Sequence, residues 1–188
     1  MVYSFATQLG ISKGARLASD KETIYSMLDG CVSVVEASTE LDLKGVDYIA
    51  TLRGGAQVYV DAKMRAVGCS RFWRGNPVEP EVAIEKWSVM PGGKFNTSRA
   101  ASKAGWTLDE NKVTDMILYV FDKSDCGTAY FIPFQSLRMA ARRNIESWMY
   151  RYKVDIQESA RHRMQWQSQA VFVPISTVIS AVNDTFVQ

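Results

Sequence analysis

The sequence predicts one α/β domain with a central mixed β-sheet flanked by helices, and three stretches carry that prediction. Val46 to Leu52 and Ala56 to Ala62 are short apolar runs on either side of Arg53-Gly54-Gly55, the pattern of a β-hairpin. Thr114 to Phe121 is nearly continuous in apolar residues, as suits a central strand covered on both faces. From Phe134 onward, Leu137, Ala140, Ala141, Ile145, Trp148 and Met149 recur at three- and four-residue steps, the period of an amphipathic helix.

Composition supports a single folded unit. With 188 residues, 47% of them hydrophobic and 22% charged, the chain is long enough to bury a substantial core. The net charge of +2 is too small to announce a nucleic-acid binder by itself, so any such role depends on where the Lys and Arg residues lie. Cys31, Cys69 and Cys126 are odd in number and widely spaced. They form neither a zinc-ligand pattern nor a disulfide framework, which fits a reducing compartment. No segment reaches the roughly 18–20 apolar residues of a membrane span, and the start of the chain lacks a leader pattern. A cytoplasmic protein with no membrane partner is expected.

Taken in order, residues 1–19 form a lead-in arm broken by Gly10 and Gly14. A helix follows from Asp20, with Ser19 as N-cap, acids Asp20 and Glu22 in its first turn, and Ile24, Met27, Leu28 and Cys31 at helical spacing. Val32 to Ala37 is a short strand or a helix end, and Ser38 to Gly45 a polar loop into the hairpin. Met64 to Arg74 interleaves basic residues with aromatics. That stretch is either a phosphate- and base-contacting segment or a solvated loop with a core tryptophan. Asn76 to Pro80 is a turn-rich link, and Val82 to Val89 a third strand interrupted by Glu85. Pro91-Gly92-Gly93 ends it, and Lys94 to Gly105 is polar, small and basic, a mobile or ligand-facing stretch. Ala129 to Pro133 is an edge or antiparallel strand that makes the sheet mixed. After the helix from Phe134 come a short strand, Ala170 to Pro174, and a terminal helix, Ile175 to Val182.

Charge placement in the hairpin is the informative feature. Asp47 enters near the start of the first strand, and Asp61 and Lys63 close the second, on one side of it because side chains alternate faces. An Asp-x-Lys triplet alone is most often solvated. Here it interrupts Val58-Tyr59-Val60 and Met64, where a buried strand would continue and where Asp is poorly suited. Such a charge calls for a partner, and a divalent cation is a good one.

An acid at the start of one strand, a hairpin turn, then acid-x-Lys on the next resembles the core of the PD-(D/E)xK nuclease superfamily, which includes restriction endonucleases and archaeal Holliday junction resolvases. Asp47 matches the first acid, Asp61 the second and Lys63 the lysine, with thirteen residues between the two acids. Val46 stands where the superfamily often has Pro. The resemblance implies a restriction-endonuclease-like core over residues 20–133, with a helical C-terminal part over 134–188. It implies a Mg²⁺-dependent nuclease, Mn²⁺ substituting, that hydrolyses phosphodiester bonds, with DNA the favoured substrate, in repair, recombination, restriction or a mobile element; a homodimer is open to it. Catalytic residues would be Asp47, Asp61 and Lys63, with Asp20 as the acid supplied by the preceding helix and Glu22 as second choice. The alternative for both helix acids is plain complementarity to the helix dipole.

Metal ligands would be Asp47, Asp61 and the Ala62 carbonyl. Glu85 joins them if the third strand lies beside the second, or else pairs with Lys63 or Lys86. Nucleic-acid contacts would come from Arg65, Arg71 and Arg74 after the hairpin and from Arg138, Arg142 and Arg143 on the long helix, a stripe that is otherwise a solvated face. His162, between two arginines, is a solvent-facing residue rather than a base. No P-loop, Rossmann glycine fingerprint, nucleophile elbow or zinc-site pattern is present. The competing expectation is a catalytically silent nucleic-acid-binding or protein-interaction module on the same fold.

Overall fold

The computed structural model describes residues 19–65, 72–73, 76–77, 79–92, 102–121, 129–161 and 164–186. The lead-in arm before Ser19, Arg71, Arg74, most of the basic 94–105 stretch and His162 lie outside the described residues. Helix α1 covers 19–27, so Ser19 is already helical. Strand β1 (Cys31–Glu36) then leads through helix α2 (Thr39–Leu43) into β2 (Tyr48–Leu52) and β3 (Gln57–Arg65). The expected polar loop before the hairpin is therefore a short helix, started by the Ser38 hydroxyl accepting from the Leu41 N–H.

The hairpin is where the sequence places it. The Leu52 N–H donates to the Ala56 carbonyl at 2.8 Å, and Gly54 and Gly55 make the turn at φ +95° and +88°, a backbone that L side chains rarely adopt. Between β3 and the next strand of the same sheet lie the pairs β4 (Phe72–Trp73) and β5 (Asn76–Pro77), then β6 (Glu81–Val89) and β7 (Lys103–Ala104). β8 (Met116–Phe121) and β9 (Ala129–Pro133) follow, then helix α3 (Phe134–Arg151), β10 (Lys153–Arg161), β11 (Met164–Pro174) and helix α4 (Ile175–Asn183).

These strands form two principal sheets. The first has five strands in the order β1-β2-β3-β8-β9, antiparallel except where β3 runs parallel to β8, so it is mixed as expected. The second is antiparallel, β10-β11-β6-β7. The region after residue 134 is thus only partly helical. Its middle is a long hairpin, β10-β11, and the expected short strand at 170–174 is the last part of an eleven-residue one.

β8 shows why its apolar run is unbroken. Ile117, Tyr119 and Phe121 face one core, shared with α3, α4, β6 and β11; Leu118 faces another, shared with Ile24 of α1 and with Tyr48, Ala50, Val60 and Ala62. Both faces of the central strand are sealed, as for a strand paired in parallel under crossovers. The second sheet is tied to β8 by the Ala83 N–H, which donates to the Tyr119 hydroxyl at 2.9 Å. Among the described residues no helix is long and apolar enough to cross a membrane.

Candidate active site at the end of the hairpin

Pairing of β2 with β3 ends at Tyr48↔Val60. One residue earlier, the Asp47 side chain reaches that of Asp61. Asp47 no longer follows the regular ladder: its N–H donates to the Val60 carbonyl, and its carboxylate accepts the Ala62 N–H at 2.8 Å. A carboxylate thus takes the place of a backbone carbonyl where the strands part, which explains an acid at a strand start.

Asp61 and Lys63 share a face. Val60 and Ala62 point into the α1-side core, so Asp61 and Lys63 point the other way, in register with Ile117 and Tyr119 of β8. Asp61 is 2% exposed, and its Oδ1 lies 2.5 Å from the Lys63 Nζ. Burial pushes its carboxyl up to about 6. The Asp47 charge and a hydrogen bond with Asp47 raise it too, while the Lys63 ammonium pulls it down without prevailing. The cluster thus sets two carboxyl groups against one ammonium, and the repulsion between the two is what a cation would relieve.

Trp106 completes this corner; Gly105-Trp106 ahead of the apolar strand, with Asp115 at its start, is loosely similar to nuclease-fold phage and restriction proteins, and its contacts here are specific. The Lys63 Nζ sits 5.4 Å from the centre of its ring, within cation–π range. The indole also stacks on Phe134, with centroids 6.3 Å apart. Its backbone N–H donates to the Glu85 Oε2 at 2.9 Å, and the same oxygen accepts from the Ser88 hydroxyl. A signal was present in Gly105, immediately before it. A Cβ there would meet the Glu85 carbonyl oxygen at 2.1 Å, so only glycine lets this turn dock on β6. Gly105→Ala should therefore lower stability by about 1–3 kcal/mol through overpacking, read as a fall in melting temperature.

The remaining expected site residues divide. β6 lies in the second sheet, and the neighbour of β3 is β8, so the condition for Glu85 to join the carboxylates is not met; its partner is the Trp106 backbone. Asp20 is 3% exposed on the α1 side, where it accepts the Tyr48 hydroxyl at 3.3 Å. Burial and then the adjacent Asp20 hold the Tyr48 phenol well above its usual range, so it remains a donor. The helix acid is thus linked to the hairpin through Tyr48, the residue next to Asp47. Ala62 contributes its N–H to Asp47.

Of the arginines, Arg65 has its backbone in β3. Arg138 is 7% exposed and does not face solvent as its place in the basic stripe suggested. Its guanidinium donates to the carbonyls of Asp109 (2.8 Å) and Lys112 (3.3 Å) and lies 4.6 Å from the Phe134 ring centre. Burial and then the neighbouring Arg142 lower its pKa. It clasps the 109–112 loop, so its guanidinium is engaged within the fold rather than displayed on the stripe. Arg142 is exposed and pairs with Glu110 at 2.6 Å; Arg143 is exposed. Arg138→Ala should cost about 2–4 kcal/mol through lost packing and carbonyls left without their donor, measured by denaturant unfolding. No family model, curated protein or solved structure matches the chain.

Proposed function

We propose that the chain is a divalent-cation-dependent phosphodiesterase of the PD-(D/E)xK, restriction-endonuclease-like class, acting on nucleic acid, with DNA the favoured substrate. The observation that carries this reading is the meeting of Asp47, Asp61 and Lys63 where β2 and β3 part. A mixed sheet with that hairpin inside it, and helices packed on both faces, is the setting the resemblance implies.

The donor set suits Mg²⁺ or Mn²⁺. Both are hard cations that take carboxylate oxygens, and Mg²⁺ is usually held by one or two carboxylates with water and substrate oxygens filling the rest. Among the described residues no group of three or more His, Cys, Asp or Glu side chains forms a ready-made cage. Asp47 and Asp61 would hold the ion. Once bound, it would stabilise charge on the phosphoryl oxygens and lower the pKa of the attacking water. Lys63 presents an ammonium beside the same carboxylates, where it offsets negative charge that develops in the transition state. Trp106 confines that ammonium from one side, and the Ala62 N–H fixes the Asp47 carboxylate.

The reading is tested with linear, nicked, branched and single-stranded substrates in Mg²⁺ or Mn²⁺. Wild type should cleave at least one of them, and Asp61→Ala and Lys63→Ala should each lose roughly 100-fold or more. Cleavage that survives Asp61→Ala would contradict it.

A further inference from the structure

Against the second sheet, with Trp106 in its lining, lies a cavity of about 350 Å³. Val82, Ile84, Val171 and Val173 turn one face of that sheet into the core, and the alternate residues of β6 and β11 line the cavity. Its floor is made of small side chains, Ala83, Ala170 and Ser168; Trp106 and Phe172 form walls, and Glu85 and Gln157 supply polar groups. The volume lies at the lower end for small-ligand sites, and among the described residues that line it none is cationic and Glu85 is acidic. An anion is therefore the wrong occupant, and a flat, neutral ring bearing hydrogen-bond donors is the right one.

Cations stand against both walls. Lys63 lies over Trp106, and Lys153 over Phe172, with its Nζ 5.6 Å from the ring centre. Lys63 and Lys153 thus flank an aromatic-walled recess whose polar groups are the Glu85 carboxyl and Gln157, an arrangement suited to phosphate, donor-bearing base, phosphate along one strand.

We propose that this cavity receives one unpaired nucleobase adjacent to the phosphate held at Asp61 and Lys63, which makes the substrate single-stranded or locally unpaired nucleic acid. The proposal rests on the phosphodiesterase reading for its neighbouring phosphate, and its own test needs no turnover. A base paired and stacked inside a duplex cannot enter such a recess.

The test is fluorescence anisotropy of labelled single-stranded oligodeoxynucleotides, and of the matching duplex, with the full chain in Ca²⁺, a hard cation that takes carboxylate oxygens. A substitution from the floor, Ala170→Leu, fills the cavity without altering Trp106, Asp61 or Lys63. Single strands should bind more tightly than duplex, and Ala170→Leu should weaken them about 5- to 150-fold, the range for losing one base–aromatic contact. An abasic position scanned along the oligonucleotide should reveal one site where base loss matters in wild type and no longer in Ala170→Leu. If Ala170→Leu does not melt cooperatively, Gln157→Ala replaces it, and the same selective loss at one position is expected. Equal affinity for duplex, no oligonucleotide binding, or a folded variant with wild-type affinity would each overturn the proposal. Cleavage in Mg²⁺ with variant affinity unchanged overturns the cavity alone. Variant-sensitive binding with no cleavage in any metal overturns the phosphodiesterase reading and leaves the cavity standing.

Discussion

Asp61→Asn is expected to make the protein more stable at neutral pH while removing the metal-dependent turnover proposed for it. The carboxyl is raised from 3.8 to about 6 by burial and by Asp47, so the folded chain keeps a proton that the unfolded chain has released between those values. Where the folded state binds more protons, stability falls as pH rises. The penalty is absent below about pH 4, grows through the interval, and is complete above about pH 6. At about 1.4 kcal/mol per pH unit, charging Asp61 costs the fold on the order of 3 kcal/mol at neutral pH. For a chain of this size that is roughly 6–12 °C in melting temperature. Melting curves of wild type and Asp61→Asn should diverge at pH 7.5 and converge near pH 4. A gap that does not change with pH would mean that the carboxyl is not raised. The balance also ties stability to function, because a destabilised carboxylate is what a cation can repay.

The second large effect concerns β8. Ile117 and Leu118 are both 0% exposed, on opposite faces and in different cores. Ile117→Ala and Leu118→Ala should therefore each cost about 2–5 kcal/mol, by lost transfer energy plus a residual cavity. Chemical denaturation with an unchanged slope measures this. If one of the two were nearly neutral, the strand would have only one covered face, and the two-layered packing around β8 would be wrong.

Those two neighbours also explain what was legible in the sequence. An unbroken apolar run such as Met116 to Phe121, the Arg-Gly-Gly turn and the three- and four-residue spacing from Phe134 are local signals, and each element stands where its signal lies. β10 was hidden because Lys153-Val-Asp-Ile-Gln-Glu carries few apolar residues, and Ile156 is left exposed. Its strand state comes from pairing with β11, which pairs in turn with β6, far away in the chain. Local pattern does not report such pairing.

Side-chain roles show the same division. Asp61 and Glu85 give one signal, an acid breaking a strand, yet Glu85 answers a backbone N–H in the Trp106 turn while Asp61 meets Lys63 and a second carboxylate. Asp47 and Asp61 could be paired from the sequence because a hairpin fixes its own register. Arg138 could not be separated from Arg142 and Arg143, since the carbonyls that bury it belong to a loop 26 to 29 residues away.

The central claim is that Asp47 and Asp61 act as one cation site, and Mn²⁺ binding reads it without any substrate. Calorimetric titration at pH 7.5 should give one Mn²⁺ per chain in wild type. Asp47→Asn and Asp61→Asn should each weaken it by more than the roughly 10- to 100-fold that a supporting, non-ligating neighbour costs. Mn²⁺ binding of wild-type strength in either variant would contradict the account.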